Sequence, residues 1–204
     1  MKTIKALTIL FLCLTAKGVY AQEEYRNDVT LSATGSFGRS VSGDGVTQSS
    51  GESPGVLFTY RYFVTDRQGL ELNYGLSRVN EQFAKGTSSG TGVGVSSNVN
   101  EANLSYVVRF RAGHRLQPFL SAGVGALVIS PVNGFTVNGA SGTTFATPDF
   151  VYSGGVEITL GRRMGLRLGY RGHLFQAPDF GVAALATGAV GQTAQPFGGL
   201  SFHF

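Results

Sequence analysis

Charged and titratable residues are scarce in this sequence, so each can be weighed for chemistry. Asp, Glu, Lys and Arg make up 14% of the 204 residues, with three His and one Cys. A hydrolytic site needs a nucleophile, a base and an orienting acid within hydrogen-bond reach. His173, Asp179 and a neighbouring loop serine are the set on offer, but no serine sits in a nucleophile-elbow motif. His114 falls near a turn and His203 is next to the last residue. Metal chemistry has no His pair four residues apart, and Cys13 has no second cysteine. Gly35-Ser36-Phe37-Gly38 and Gly90-Thr91-Gly92-Val93-Gly94 precede no helical pattern, so they are not phosphate loops. No catalytic residue, metal or cofactor is expected.

What remains is electrostatic. Arg61 and Glu71 each lie five residues from Asp66, and Glu157 and Arg167 each lie five from Arg162. Residues placed symmetrically about a hairpin turn face each other across the strand pair. Both sets are therefore expected to pair as opposite charges. Glu101, Arg109, Arg171 and His173 fall on the same face of their segments. Such charges, if enclosed, must pair, because an isolated buried charge costs several kcal/mol. The expected network is static and pins strand register; the alternative is a gate whose bridges switch.

The elements that would position these charges have a period of two. Leu70, Leu72, Tyr74 and Leu76 alternate with Glu71, Asn73, Gly75 and Ser77. The same holds for Ala102, Leu104, Tyr106, Val108 and Phe110 against Glu101, Asn103, Ser105, Val107 and Arg109. Val56–Val64, Tyr152–Leu160 and Leu166–Arg171 repeat the pattern. Strict alternation argues strand, not helix. Weaker segments at 28–37, 118–129 and 193–204 complete eight strands of about ten residues. Short turns are expected near Asp66-Arg67, at 112–117 and at 161–163. Long connections are expected at 39–54, 80–95, 130–146 and 176–192. The last carries the apolar run Phe180 to Ala186, which marks a partner site, folds onto its neighbours or belongs to strands longer than these bounds.

Composition agrees with an all-β chain. Gly is about twice its average usage, at 30 residues, without a collagen period, and Phe and Tyr number 15 and 8. Residues 1–21 read as a secretory signal: basic Lys2 and Lys5, an apolar stretch from Ala6 to Ala16, and cleavage after Ala21. The stretch is too short to span a bilayer as a helix. Leu12 before Cys13 departs from the small residue that a lipidation motif wants. Of the 16 basic residues, Lys2, Lys5 and Lys17 leave with the signal, so 13 face 12 acids. That balance provides no basic stripe, and no nucleic-acid partner is expected. The mature chain lacks cysteine, so packing and ladder hydrogen bonds must hold it. The expected layout is signal 1–21, a short extension 22–26 and a β domain 27–204.

Strands of this length, alternating short and long connections and an even count are the pattern of a bacterial outer-membrane barrel. The last strand supports this. Leu200, Phe202 and Phe204 share one face, and Gly199, Phe202 and Phe204 match the terminal signal read by barrel-assembly machinery. Phe197 departs from it, standing where a polar residue is usual. The segment Leu166-Arg167-Leu168-Gly169-Tyr170-Arg171, followed by Pro178-Asp179-Phe180, adds a second likeness. Over about 27–204 the chain resembles the small OmpA/OmpX-type outer-membrane β-barrel domains of Gram-negative bacteria. The resemblance implies an eight-stranded antiparallel up-and-down transmembrane barrel with both termini in the periplasm. It implies outer-membrane lipid and the assembly machinery as partners, and a monomer. With nothing after Phe204, a wall-anchoring role is not expected. The expected role is a lipid-embedded platform presenting four extracellular loops to an extracellular ligand. A narrow porin-like channel is the second reading. A lipid-A-modifying enzyme using His173, or a soluble barrel with an apolar cavity, are the others.

Overall fold

The computed structural model describes residues 26–43, 46–85, 92–110, 112, 114–132, 136–137, 140–182 and 187–204. The expected signal peptide, its cleavage point and residues 22–25 lie outside them. The strands in chain order are β1 (Asn27–Gly38), β2 (Val41–Gly43), β3 (Val46–Ser50) and β4 (Ser53–Thr65). They continue as β5 (Gln68–Lys85), β6 (Gly92–Arg109), β7 (Leu116–Pro131), β8 (Thr136–Val137) and β9 (Ala140–Ser141). The last are β10 (Phe145–Thr159), β11 (Met164–Gln176) and β12 (Val190–His203).

Eight of these close into an antiparallel barrel in the order β4-β1-β12-β11-β10-β7-β6-β5, with β5 pairing both β4 and β6. Closure leaves no unpaired wall edge, which lipid could not satisfy. At one end Asn27 and Phe204 exchange backbone bonds of 3.2 and 2.9 Å, and short turns join the strands. The opposite end carries the longer connections.

The alternation is inside out relative to a soluble barrel. Leu72 and Val124 are 53% and 67% exposed, whereas Arg61, Asn73 and Arg167 are essentially buried. An apolar band outside and a polar lumen inside is the arrangement a bilayer selects. The expected soluble alternative, with an apolar cavity, is therefore corrected.

The eight barrel strands run 12 to 18 residues, longer than the ten expected. The excess lies at the loop end. The described residues of segments 39–54 and 80–95 are largely strand: β5 and β6 rise past the apolar band, and β3 pairs with Glu81–Lys85 of β5. Their Ser, Gly and Asn content reads as loop, but it marks the loss of lipid. Arg78, Asn80, Gln82 and Asn98 replace Leu70, Leu72 and Leu76 on the outward face.

Residues 177–182 of the 176–192 connection fold inward. Phe180 and Val182 are buried with Val95 and Ile129, so this part of the apolar run caps the lumen, while residues 183–186 of the run lie outside the described residues. The Phe180 carbonyl accepts bonds from the Thr143 backbone at 3.0 Å and its hydroxyl at 3.2 Å. Phe180 holds φ 53°, a costly setting for a bulky residue. Its buried ring and pinned carbonyl offset that cost.

Inward glycines make room for the large side chains. Gly155 and Gly169 are register partners on adjacent strands. A Cβ on Gly155 would drive into the Leu168 carbonyl oxygen and the Gly169 Cα, backbone atoms that cannot step aside. Gly161, in a turn, has open space around it. Gly155→Ala is expected to lower stability by about 1–3 kcal/mol, the usual cost of overpacking. Gly161→Ala should stay within about 0.5 kcal/mol, as surface changes do. Urea unfolding of the folded gel band measures both.

Candidate functional site

The lumen holds all seven charges that the sequence places on one face, together with acids and amides from six strands. At the turn end, Arg61 Nε donates to Asp28 Oδ1 at 2.6 Å and its Nη2 to Glu157 Oε2 at 2.7 Å. Arg109 Nη2 lies 3.4 Å from Asp28 Oδ2 and 3.9 Å from Glu157 Oε2. Its guanidinium stacks on the Phe63 ring, 3.8 Å from the centroid. His203 Nε2 is 3.2 Å from Glu157 Oε1.

One level in, Arg167 Nη2 donates to Glu71 Oε2 at 2.6 Å and lies over the Phe119 ring at 4.1 Å. Asn73 Nδ2 donates to Glu71 Oε1 at 3.0 Å and to Asn103 Oδ1 at 2.9 Å. Phe119 and Phe197 pack beside Phe63 and Val107 as an apolar plug. Further up, Arg171 Nη1 donates to Glu101 Oε1 at 2.6 Å and to Gln195 Oε1 at 3.0 Å. His173 Nδ1 is 2.8 Å from Asp149 Oδ2, and its Nε2 is 3.4 Å from Glu101 Oε2.

Two expectations are corrected here. Arg61 and Glu71 are register partners, as are Glu157 and Arg167. Yet neither hairpin closes its own ion pair. Arg61 reaches Glu157, and Arg167 reaches Glu71. In the ring order, β4 stands opposite β10 and β5 stands opposite β11. The two hairpins therefore exchange partners across the full barrel diameter. Neighbouring side chains leave a curved wall roughly parallel, whereas an eight-stranded lumen is narrow enough for opposite walls to touch. A long arginine gains a straighter hydrogen bond by crossing.

The second correction concerns catalysis. His173 is buried and faces Asp149 and Glu101, not Asp179. Asp179 Oδ1 instead accepts from Gly181 N at 2.9 Å in the inward loop. The imagined hydrolase set is not assembled. Asp28, Glu157 and His203 lie close enough to share a cation. Arg61 and Arg109 already neutralise both carboxylates, so the trio reads as an ion-pair node.

Sequence reasoning missed Asp28, Asp149 and His203 as lumen residues. Asp28 could have been found by extending the β1 alternation by one step, since Thr30, Ser32 and Thr34 share its face. Above the Arg171–Glu101 level, Ser36, Ser77, Glu81, His173 and Phe175 line a cavity of about 50 Å³. That is room for on the order of three to five waters. Phe180 and Val182 lie at the loop end, packed against Ile129, which also lines the cavity.

The residues assigned to the assembly signal lie on β12 and just beyond. Leu200, Phe202 and Phe204 face outward, and the last two rings stack at 6.3 Å. Gly199 is register partner to Ser32 and Arg167, where a Cβ would strike Ser32.

The sequence profile of the outer membrane protein beta-barrel domain matches residues 6–195. No curated protein matches the chain. Among solved structures, Neisserial surface protein A superposes with a TM-score of 0.60 at 13% identity, covering 87% of this chain and 97% of that one. The outer membrane protein OprG from Pseudomonas aeruginosa gives 0.62 at 11% identity, covering 87% and 95%. The outer membrane protein AlkL gives 0.55 at 16%, covering 92% and 95%. At these identities the likeness is one of fold.

The crossed pairs generate a test. Arg61→Met leaves Asp28 and Glu157 buried without their main partner and is expected to cost about 3–5 kcal/mol. Exchanging the charges of Arg167 and Glu71 together should restore much of what either reversal alone costs. Urea midpoints of the four proteins form the double-mutant cycle that measures the coupling.

Proposed function

The chain belongs to the outer membrane protein beta-barrel domain family, and on that premise we propose that it is a monomeric surface platform, not a pore. The filled lumen supports this reading. Arginine–carboxylate pairs cross it at several levels, the Phe63, Phe119 and Phe197 rings fill the turn half, and Phe180 caps the loop half. The loop end faces outward in this reading, with both termini in the periplasm after removal of residues 1–21. The extension formed by β2, β3 and the loop-end parts of β5 and β6 then stands clear of the lipid and presents the ligand-facing surface. Gly199, Leu200, Phe202 and Phe204 serve as the assembly signal. The cavity beside Glu81, Glu101 and His173 favours a second reading, a narrow channel, which requires both closures to move.

Two measurements separate these readings. In planar bilayers the purified barrel is expected to give no open-channel steps. Steps lost on Arg171→Met would favour the channel. Replacing residues 41–50 by a short Gly-Ser turn should abolish adherence of expressing cells to host-cell matrix or to one another, with the heat-dependent gel shift intact. Unchanged adherence would sink the platform role.

The hairpin also carries a pH signature. Gln48 Nε2 donates to Glu81 Oε1 at 2.9 Å, above the apolar band. Burial pushes the Glu81 carboxyl up to about 7 from 4.5. The folded value exceeds the unfolded one, so docking is tightest below about pH 4.5 and weakens as pH rises to about 7. Hydrogen exchange of β3 amides across that window should follow this trend, and Glu81→Gln should flatten it.

A further inference from the structure

The turn end carries arginines in a regular arrangement that none of the above uses. Arg26 precedes β1, Arg67 lies in the β4–β5 turn, Arg115 precedes β7 and Arg163 precedes β11. Each backbone carbonyl accepts the terminal bond from the adjoining strand. Phe63 N donates to Arg26 O at 2.7 Å and Arg109 N to Arg67 O at 2.7 Å. Thr159 N donates to Arg115 O at 2.8 Å and His203 N to Arg163 O at 2.9 Å. These bonds mark the seams β1/β4, β5/β6, β7/β10 and β11/β12, which are every second seam of the ring. The fold thus fixes one arginine per quarter-turn. Arg162 adds another, and all five are exposed. Among the described residues of this rim the acid is Asp66. Glu23 and Glu24 precede Arg26 and lie outside the described residues, so the three turns carry the argument.

We propose that this rim is a collar that selects anionic phospholipid in the leaflet at the turn end. The lipid-facing side chains Val64, Leu116, Leu160 and Met164 stand beside these arginines, all about half exposed. The guanidiniums therefore sit where the hydrocarbon ends and phosphates begin. A partner docking from one side would call for a one-sided patch. Charge repeated around the whole circumference matches the annulus of lipid that surrounds a barrel. Arginine's planar fork binds phosphate oxygens in pairs and is weakly hydrated, which suits that boundary.

The test uses the folded mature protein in phosphatidylcholine vesicles with trace spin-labelled phosphatidylglycerol or phosphatidylcholine. Electron paramagnetic resonance gives the relative association of each lipid with the barrel. The anionic lipid is expected to associate on the order of two- to fivefold more strongly, a scale set by single basic residues at a membrane surface. The preference should collapse in 1 M salt, where screening reaches about 3 Å. It should fall towards unity in the Arg67→Gln, Arg115→Gln, Arg162→Gln triple variant. Arg39→Gln with Arg78→Gln, at the opposite end, should leave it unaltered. If the triple variant does not fold, each single variant should lower the ratio by part of the total. Equal association of both lipids, or a preference that survives the substitutions, overturns the proposal. So would arginine-dependent sedimentation with isolated cell-wall sacculi alongside unchanged lipid association, which would assign the rim to wall carboxylates.

Discussion

Arg61 holds carboxylates from its neighbour and from the far wall at once, and much of the barrel's design answers to that contact. Lipid outside offers no hydrogen bonds, so every backbone polar group of the spanning wall must be satisfied within the barrel, and buried charges must find their partners in the lumen. Four arginines fit there only because each finds an acid, and because rings such as Phe63 and Phe119 cover their guanidinium faces. Small residues answer the same constraint. Gly155 and Gly169 lack side chains where a Cβ would strike the facing backbone or, at Gly169, the Phe197 ring.

The fold was legible because a bilayer imposes a strict period of two. Leu70 to Leu76 and Ala102 to Phe110 could not be helices, and the turn at Asp66-Arg67 fixed the register of Arg61 against Glu71. Strand length was less legible. Beyond the lipid the outward face turns polar, and Arg78, Asn80 and Gln82 look like loop although the ladder continues. Which face met lipid was also open, since alternation is symmetric until burial is known.

The site was half legible for a related reason. Parity assigns residues such as Glu101 and Arg171 to one face without saying how far each side chain reaches. Pairing along a hairpin is a property of two strands, whereas the bridges here belong to the closed ring. Asp149 with His173 shows the same limit: adjacent strands bring them together, but only the inward turn of 177–182 shows why they are shielded. That inward turn is the least local feature of all, since Phe180 meets Val95 and Ile129 from distant strands.

The span of the two diametric bridges bears on how the molecule comes into being. Both join residues 96 positions apart. Arg61 is made early and waits for Glu157; Glu71 waits for Arg167. Until the late strands arrive, a growing sheet holds Arg61 against Asp28 alone and Glu71 without Arg167, in surroundings that penalise unpaired charge. An incomplete sheet gains little from lipid, and the electrostatic reward comes with ring closure. Assembly is thereby made cooperative: half-built intermediates are poor stopping points, and the finished ring is held shut by contacts that no partial ring can form.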